Sequence, residues 1–213
     1  MKHLKFVTVS IALILILLSS AAATAQDIKL PPPETEGGMP LMEALKERKT
    51  MRTYSSRELP DQMLSNLLWA AWGENRSDGR RTAPSASNRQ EIDVYVATTK
   101  GCYLYDAQEN MLKRNLAEDI RSYTGMQAFV NDAPINLVFV ADLSKMGGGS
   151  DDAKEKTAYV DTGYISQNVY LFCASEGLAT VARGMVDKDA LAKKMNLGAN
   201  QRVILAQTVG YPK

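Results

Sequence analysis

Histidine is almost missing from this chain: His3 is the only one among 213 residues. It sits just before an apolar run that reads as a leader, so the body of the protein has none. That excludes nucleophile arrangements and metal sites built on imidazole. Cysteine is scarce too, with Cys102 and Cys173 alone. Two thiols do not make a zinc site by themselves, and their apolar strand-like and helix-like surroundings suit buried, inert groups. An exported context permits a disulfide between them, but their spacing does not show one. Neither the GxGxxG dinucleotide fingerprint nor a phosphate-binding P-loop is present. No pair of carboxylates stands out as an acid/base couple, since Glu118-Asp119 and Asp151-Asp152 are sequence neighbours that read as solvated. Catalysis without histidine or metal leans most simply on an organic cofactor or on carboxylates.

Charge of one sign is missing as well. The whole chain carries +1. Lys2 and Lys5 belong to the leader, and losing them from 25 basic residues leaves 23 against 24 acidic ones, a net of −1. A nearly neutral body gives no reason to expect nucleic acid or an anionic membrane as partner.

What is present begins with that leader. Lys2 and Lys5 form a basic start, Phe6 to Leu18 is largely apolar and uncharged, and Ala23-Thr24-Ala25 is a small-x-small pattern. Together they predict a signal peptide, 1–25, cut after Ala25, and an exported, periplasmic protein. The apolar run is short of the roughly 20 residues that span a bilayer, so no stable membrane insertion is expected after cleavage; an uncleaved anchor is the alternative. The remaining 188 of the 213 residues suit one domain. Residues 26–40, with Pro31-Pro32-Pro33, read as an extended tether, and 41–213 as the domain.

Along the domain, Leu41 to Glu47 predicts a short helix with Leu41 and Leu45 on its apolar face. Pro60 opens the next helix, Met63 to Trp72 carries a wide apolar stripe, and Gly73 ends it. Ile92, Val94 and Val96 alternate with Asp93 and Tyr95, which marks a strand. A hairpin follows, Cys102 to Tyr105 and Met111 to Lys113 joined through Asp106 to Asn110. Leu116 to Tyr123 reads as a short helix, Ile135 to Ala141 as a buried strand, and Met146 to Ser150 as a loop. Ala153 to Glu176 is the longest helical pattern. Leu178 to Ala182 and Val203 to Val209 are strands, separated by a helix that Asp187 caps and Gly198 follows. Strands and helices mix without a βαβ rhythm, which predicts an α+β fold.

Three segments could carry chemistry. Arg80 to Gln90 is crowded with hydroxyl and amide side chains, and Pro84 biases Ala83 away from helix. Ser85, Ser87, Asn88 and Gln90 either offer donors and acceptors to a planar polar ligand or form an ordinary solvated loop. Arg48, Lys49 and Arg52 cluster around Thr50 where a helix ends. They suit a phosphate, or they merely complement the helix dipole. Arg183-Gly184-Met185 follows a strand, where glycine lets backbone approach a flat ligand or simply makes a turn.

Taken together, Arg48-Lys49-Thr50-Met51-Arg52-Thr53-Tyr54, Ala83 to Gln90, Asp161-Thr162-Gly163, Gln167-Asn168, Gly177 to Thr180 leading to Gly184, and Gly210-Tyr211-Pro212 fall in one order and spacing over residues 40–213. The chain resembles the nitroreductase superfamily of FMN-dependent oxidoreductases. Leu68 to Gly73 and the Cys102–Lys113 hairpin resemble the azoline dehydrogenase branch. The resemblance implies a three-layer α+β fold, a homodimer with the Gln167-Asn168 helix in its core, and FMN at the subunit interface. It implies that Arg48, Lys49, Thr50 and Arg52 hold the phosphate and ribityl chain, with Lys213 adding to them. Pro84, Ser85, Ser87 and Asn88 would line the ring from the same or the partner subunit. Arg183, Gly184 and Met185 would meet its other side, Arg183 as a cation near the flavin N1–O2 edge. The activity so implied is hydride transfer through flavin to or from a small molecule or modified peptide. The other readings are a flavin-binding module without turnover and a flavin-free domain that acts through protein contacts.

Overall fold

The alternation at Ile92, Val94 and Val96 does produce a strand, and its place in the sheet explains why both of its faces are covered. The computed structural model describes residues 26–213; the expected leader, 1–25, lies outside the described residues. The strands are β1 (Ile28–Lys29), β2 (Ile92–Thr98), β3 (Gly101–Asp106), β4 (Met111–Leu116), β5 (Ile135–Asp142), β6 (Ala179–Arg183) and β7 (Gln201–Gly210). They form one seven-stranded sheet in the order β1-β4-β3-β2-β5-β7-β6. Every pairing is antiparallel. The helices are α1 (Leu41–Glu47), α2 (Asp61–Trp72), α3 (Asp151–Ser175) and α4 (Lys188–Lys194).

Side chains alternate across a strand, so each central strand feeds two cores. Val94 and Val96 of β2 join Leu137 and Phe139 of β5 beneath α2 and α3, against Leu67, Leu68, Ile165 and Val169. Tyr95 and Ala97 join Val138 and Val140 on the opposite face, against Ile120, Leu191 of α4 and Met195 just after it. The sheet is therefore the middle layer of three, as the α+β expectation has it.

The helix boundaries follow local chemistry. Pro60 precedes α2 and Gly73 closes it, its N–H donating to the Trp69 carbonyl at 2.8 Å. Ser150 caps α3, its hydroxyl accepting from Ala153 N at 3.3 Å, so the helix starts slightly before Ala153. Asp187 caps α4 by accepting from Ala190 N at 3.0 Å. The left-handed residue after α4 is Asn196 (φ 55°), not Gly198. Asparagine tolerates that conformation without a glycine.

Three expectations differ from what is observed. The stretch from Leu116 to Tyr123 is not a helix. Strand β4 runs to Leu116, and only a short 3-10 turn forms at Arg121–Thr124. Arg121 holds the segment open, chelating Asp119 and donating to the carbonyls of Asn131 and Ala133. On α1 the buried residue is Ala44, while Leu41 and Leu45 are exposed. The small side chain is the one that lets the helix lie close to α3. Residues 26–40 are laid onto the domain, with a bend at Gly37 and Gly38, whose φ angles are 97° and 78°. Ile28 and Lys29 pair with Leu112 and Met111, and Leu30 is buried. Ser65 Oγ and Asn110 Nδ2 both donate to the Pro31 carbonyl, at 2.6 and 2.7 Å. A proline-rich run has no internal hydrogen bonds, so its carbonyls are free to take such side-chain donors.

Candidate functional site

The basic segment leaves α1 with its cations unpaired. Among the described residues, Arg48, Lys49, Arg52 and Lys213 make no ion pair. The backbone is pinned instead: Met51 N donates to the Thr180 carbonyl at 3.0 Å, at the start of β6. Tyr54 bridges Pro212 in antiparallel fashion, which carries Lys213 alongside Thr53. A groove of about 440 Å³ runs between α1 and the end of α3, with Glu47, Lys49, Met51, Tyr170 and Pro212 among its walls.

Tyr170 of α3 joins this segment to the end of β6. Its hydroxyl lies 3.1 Å from Thr50 Oγ1 and accepts from Ala182 N at 3.0 Å. Arg48 Cζ sits 5.4 Å from the centre of the same ring. Thr50 and Arg48 are thereby held near Ala182, the residue that precedes Arg183-Gly184-Met185. The surroundings of Gly184 are open, since a Cβ there would meet only Leu205 Cδ2 at 4.0 Å.

The Ser85–Gln90 loop is attached elsewhere on α3. Ala86 N donates to Asp161 Oδ2 at 2.8 Å. Asp161 and Tyr170 are nine residues apart on one helix, about 14 Å of rise, so one protomer holds the loop away from the basic segment. The loop is tightly wound. Ser87, Asn88 and Gln90 take φ of 54°, 52° and 49°, a left-handed region that non-glycine residues visit rarely. Gln90 fixes the turn: its N donates to Ser85 Oγ at 3.0 Å, and its side chain engages Arg81 Nε, Gly79 O and Asn88 Oδ1. Pro84, Ser87 and Asn88 remain exposed.

Arg183 corrects an expectation. Its side chain turns into the protein, 4% exposed, on the sheet face away from α3. It donates to Thr208 Oγ1 at 3.0 Å, Asn136 Oδ1 at 2.9 Å and the Thr124 carbonyl at 2.5 Å. All are neutral acceptors, and burial pulls its pKa down to about 10. Gly125 is required here, because a Cβ would fall 1.7 Å from Arg183 Nη1. The charge is thus consumed in the interior, and what this strand end presents outward is the backbone of Gly184 and the exposed Met185.

A family model for the nitroreductase family matches residues 45–211, which span the basic segment, the Ser85–Gln90 loop, Tyr170 and Arg183–Met185. The chain belongs to the nitroreductase family. A Methanocaldococcus jannaschii chain that carries the name nitroreductase is 30% identical over 154 residues, 68% of this chain and 78% of its own length. A solved structure from Ralstonia eutropha, also named a nitroreductase, is 43% identical with a TM-score of 0.85, covering 89% of this chain and 91% of the other. The Vibrio harveyi NADPH:FMN oxidoreductase shares the fold at 19% identity, with a TM-score of 0.62 over 81% of this chain and 69% of that one.

In this nitroreductase-family chain the structure joins Arg48 and Thr50 through Tyr170 to Ala182, just before Arg183–Met185, and sets Lys213 beside Thr53. It does not bring Ser85, Ser87 or Asn88 to them within a protomer. Tyr170 is a connecting residue that carries no sequence signal of its own; nine residues on from Asp161, it lies about half a turn around α3. Glu91 is a second such residue, fully buried at the base of the loop. Cys102 and Cys173 are both free and buried in different core layers, and burial pushes the Cys102 thiol up to about 12. Among the described residues no cluster of His, Cys, Asp and Glu could hold a metal ion. No helix among them is long and apolar enough to cross a membrane.

Proposed function

We propose that this chain is an exported FMN-dependent oxidoreductase that passes hydride through the flavin to or from a small molecule or modified peptide. The observation that carries the reading is the Tyr170 hydroxyl, which holds Thr50 and Ala182 N together and so sets unpaired cations near an open strand end. That arrangement fits FMN: cations without partners suit a phosphate, and a glycine with empty surroundings suits a flat ring. The cofactor, when bound, supplies the hydride chemistry. Arg48, Lys49 and Arg52 hold the phosphate, with Lys213 adding charge, and the Thr50 hydroxyl donates to the same group. Gly184 and Met185 meet the ring with backbone and an apolar side chain.

The remaining wall comes from a partner subunit. Ser85, Ser87 and Asn88 sit too far along α3 to reach their own protomer's basic segment, so in a homodimer they line the neighbour's ring. Tyr159, Val160 and Tyr164 form an exposed stripe on α3 that a partner would cover, and Leu41, Met42 and Leu45 of α1 are exposed too. Solitary exposed apolar residues are ordinary, but stripes of them mark interaction surfaces.

The test is the absorbance spectrum of the purified protein followed by acid release of the chromophore. FMN at about one per subunit is expected, the ratio cofactor chemistry requires. Arg48→Ala with Arg52→Ala should then lower FMN affinity by at least about a hundredfold, the scale of two charge-assisted contacts. A colourless protein that takes up no added FMN would point instead to a flavin-free module. Sequencing the amino terminus of the secreted protein checks export, with Gln26 as the expected first residue.

A further inference from the structure

Glu91 is the most deeply buried carboxyl group in the described chain, at 0% exposure, and neither of its oxygens has a hydrogen-bond donor. It joins the Ser85–Gln90 loop to β2, and its own carbonyl accepts from Asp142 N at 2.9 Å. Its neighbour is Asp161 of α3, itself 3% exposed, whose Oδ2 accepts the Ala86 amide at 2.8 Å. Two buried carboxyl groups therefore lie within reach of each other at the base of the loop, and the Ala86 amide donates to one of them.

The groups around the pair do not neutralise it. Arg89, from the loop, bears on Glu91 electrostatically, but it is exposed and its guanidinium lies over Gly147. Lys145, from the turn after β5, is paired with Asp93 at 2.8 Å. Lys154 of α3 donates to the Leu143 carbonyl at 3.4 Å, and Asp142 accepts from Ser144. Two ionised carboxylates cannot share such a site without a cation, so one of them keeps a proton. Asp161 already accepts the Ala86 amide. Glu91 has no such donor, so Glu91 is the acid.

We propose that Glu91 and Asp161 share one proton, and that this proton holds the Ser85–Gln90 loop against α3. With the proton in place, Glu91 donates to Asp161 and Asp161 keeps Ala86. Without it, two like charges meet in the core. The part that yields is the loop, because it already carries three left-handed non-glycine residues. Burial, and then the Asp161 carboxylate, push the Glu91 pKa up to about 7, so the loop loosens across neutral pH. That the loop lines a flavin rests on the proposed function; the proton site does not.

The test uses the full chain as isolated, with side-chain carboxyl carbons of glutamate labelled with carbon-13, and needs neither flavin nor substrate. One glutamate signal is expected to titrate near pH 7 and to vanish in Glu91→Gln. Over the same range, the exchange protection of the Ala86 amide should fall by about tenfold after correction for base catalysis, the factor that one unit of pKa coupling carries. In Glu91→Gln that protection should stay level, since glutamine donates at every pH. All glutamates titrating near their ordinary value would overturn the proposal, and so would Ala86 protection that holds while Glu91 ionises. The wild-type titration decides the matter even where the variant does not fold. A colourless protein showing both changes would sink the cofactor reading alone; a yellow one showing neither would sink this one alone.

Discussion

Arg183 Nη2 donates to Asn136 Oδ1 at 2.9 Å, two strands away in the sheet and with no carboxylate in the cluster. Asn136 Oδ1 also accepts from Thr208 Oγ1 at 2.6 Å, and Asn136 Nδ2 donates to the Val130 carbonyl at 2.8 Å. The guanidinium thus ties β6, β5 and β7 to the 124–130 segment. Met126 N donating to the Met185 carbonyl at 3.2 Å extends that tie to the exposed strand end. Here a buried charge is held by neutral acceptors alone, through four hydrogen bonds, so its removal orphans several partners at once.

Arg183→Ala should therefore destabilise the protein by about 3 kcal/mol, the cost of leaving buried acceptors unmet. Arg183→Lys should recover only part of it, since an ammonium cannot reproduce the planar fork. Chemical denaturation measures both. Arg52→Ala should change stability by no more than about 0.5 kcal/mol, as expected of an exposed position without an ion-pair partner, while Arg48→Ala should cost up to about 1 kcal/mol through loss of its contact with the Tyr170 ring.

Tyr170→Phe isolates the hydroxyl. The ring stays, so Arg48 keeps its stacking surface, while Thr50 and Ala182 N lose their common partner. A stability loss of about 1 kcal/mol is expected, as for one modest hydrogen-bond centre. FMN affinity should fall with it, read by fluorescence quenching on titration. Unchanged affinity would mean that Thr50 is not set in place through Tyr170.

The exposed stripe on α3 tests the assembly. Light scattering should give twice the subunit mass for the wild type. Val160→Glu should give the subunit mass, because a carboxylate facing a second copy across that stripe would be desolvated without a partner. Wild-type protein at the subunit mass would remove the dimer, and with it the role of Ser87 and Asn88 in lining a neighbour's ring.

Glu91 also sets a direction for stability against pH. Its pKa is raised from 4.5 to about 7 in the folded state, so the native protein binds this proton more tightly than the unfolded chain does. Stability from this group is fully present below about pH 4.5 and is lost as pH rises through about 7. The loss should be about 1–2 kcal/mol, less than the full shift would convert to, because a loosened loop lets water in. Glu91→Gln should flatten that slope. Thermal melts from pH 5 to 8.5 measure it.

Local chemistry was enough for much of the framework. The alternation through Ile92, Val94 and Val96, the Pro60 and Gly73 brackets around α2, and the Asp187 cap are all decided by residues within a turn or two of each other, which is the range over which propensity and periodicity act. The unpaired cations at Arg48 to Arg52 and the tight loop at Ser85 to Gln90 were legible for the same reason. Tertiary structure decided the rest. Tyr170 meets Thr50 across 120 residues of sequence, and Asp161 meets Ala86 across 75. Arg183 turns inward because Thr124, Asn136 and Thr208 arrive from three other segments. Glu91 is pushed toward its protonated form because the closed fold buries it and α3 brings a second carboxyl group beside it. Charge state and side-chain direction depend on solvation and on distant neighbours, and neither exists until the sheet and α3 have closed on one another.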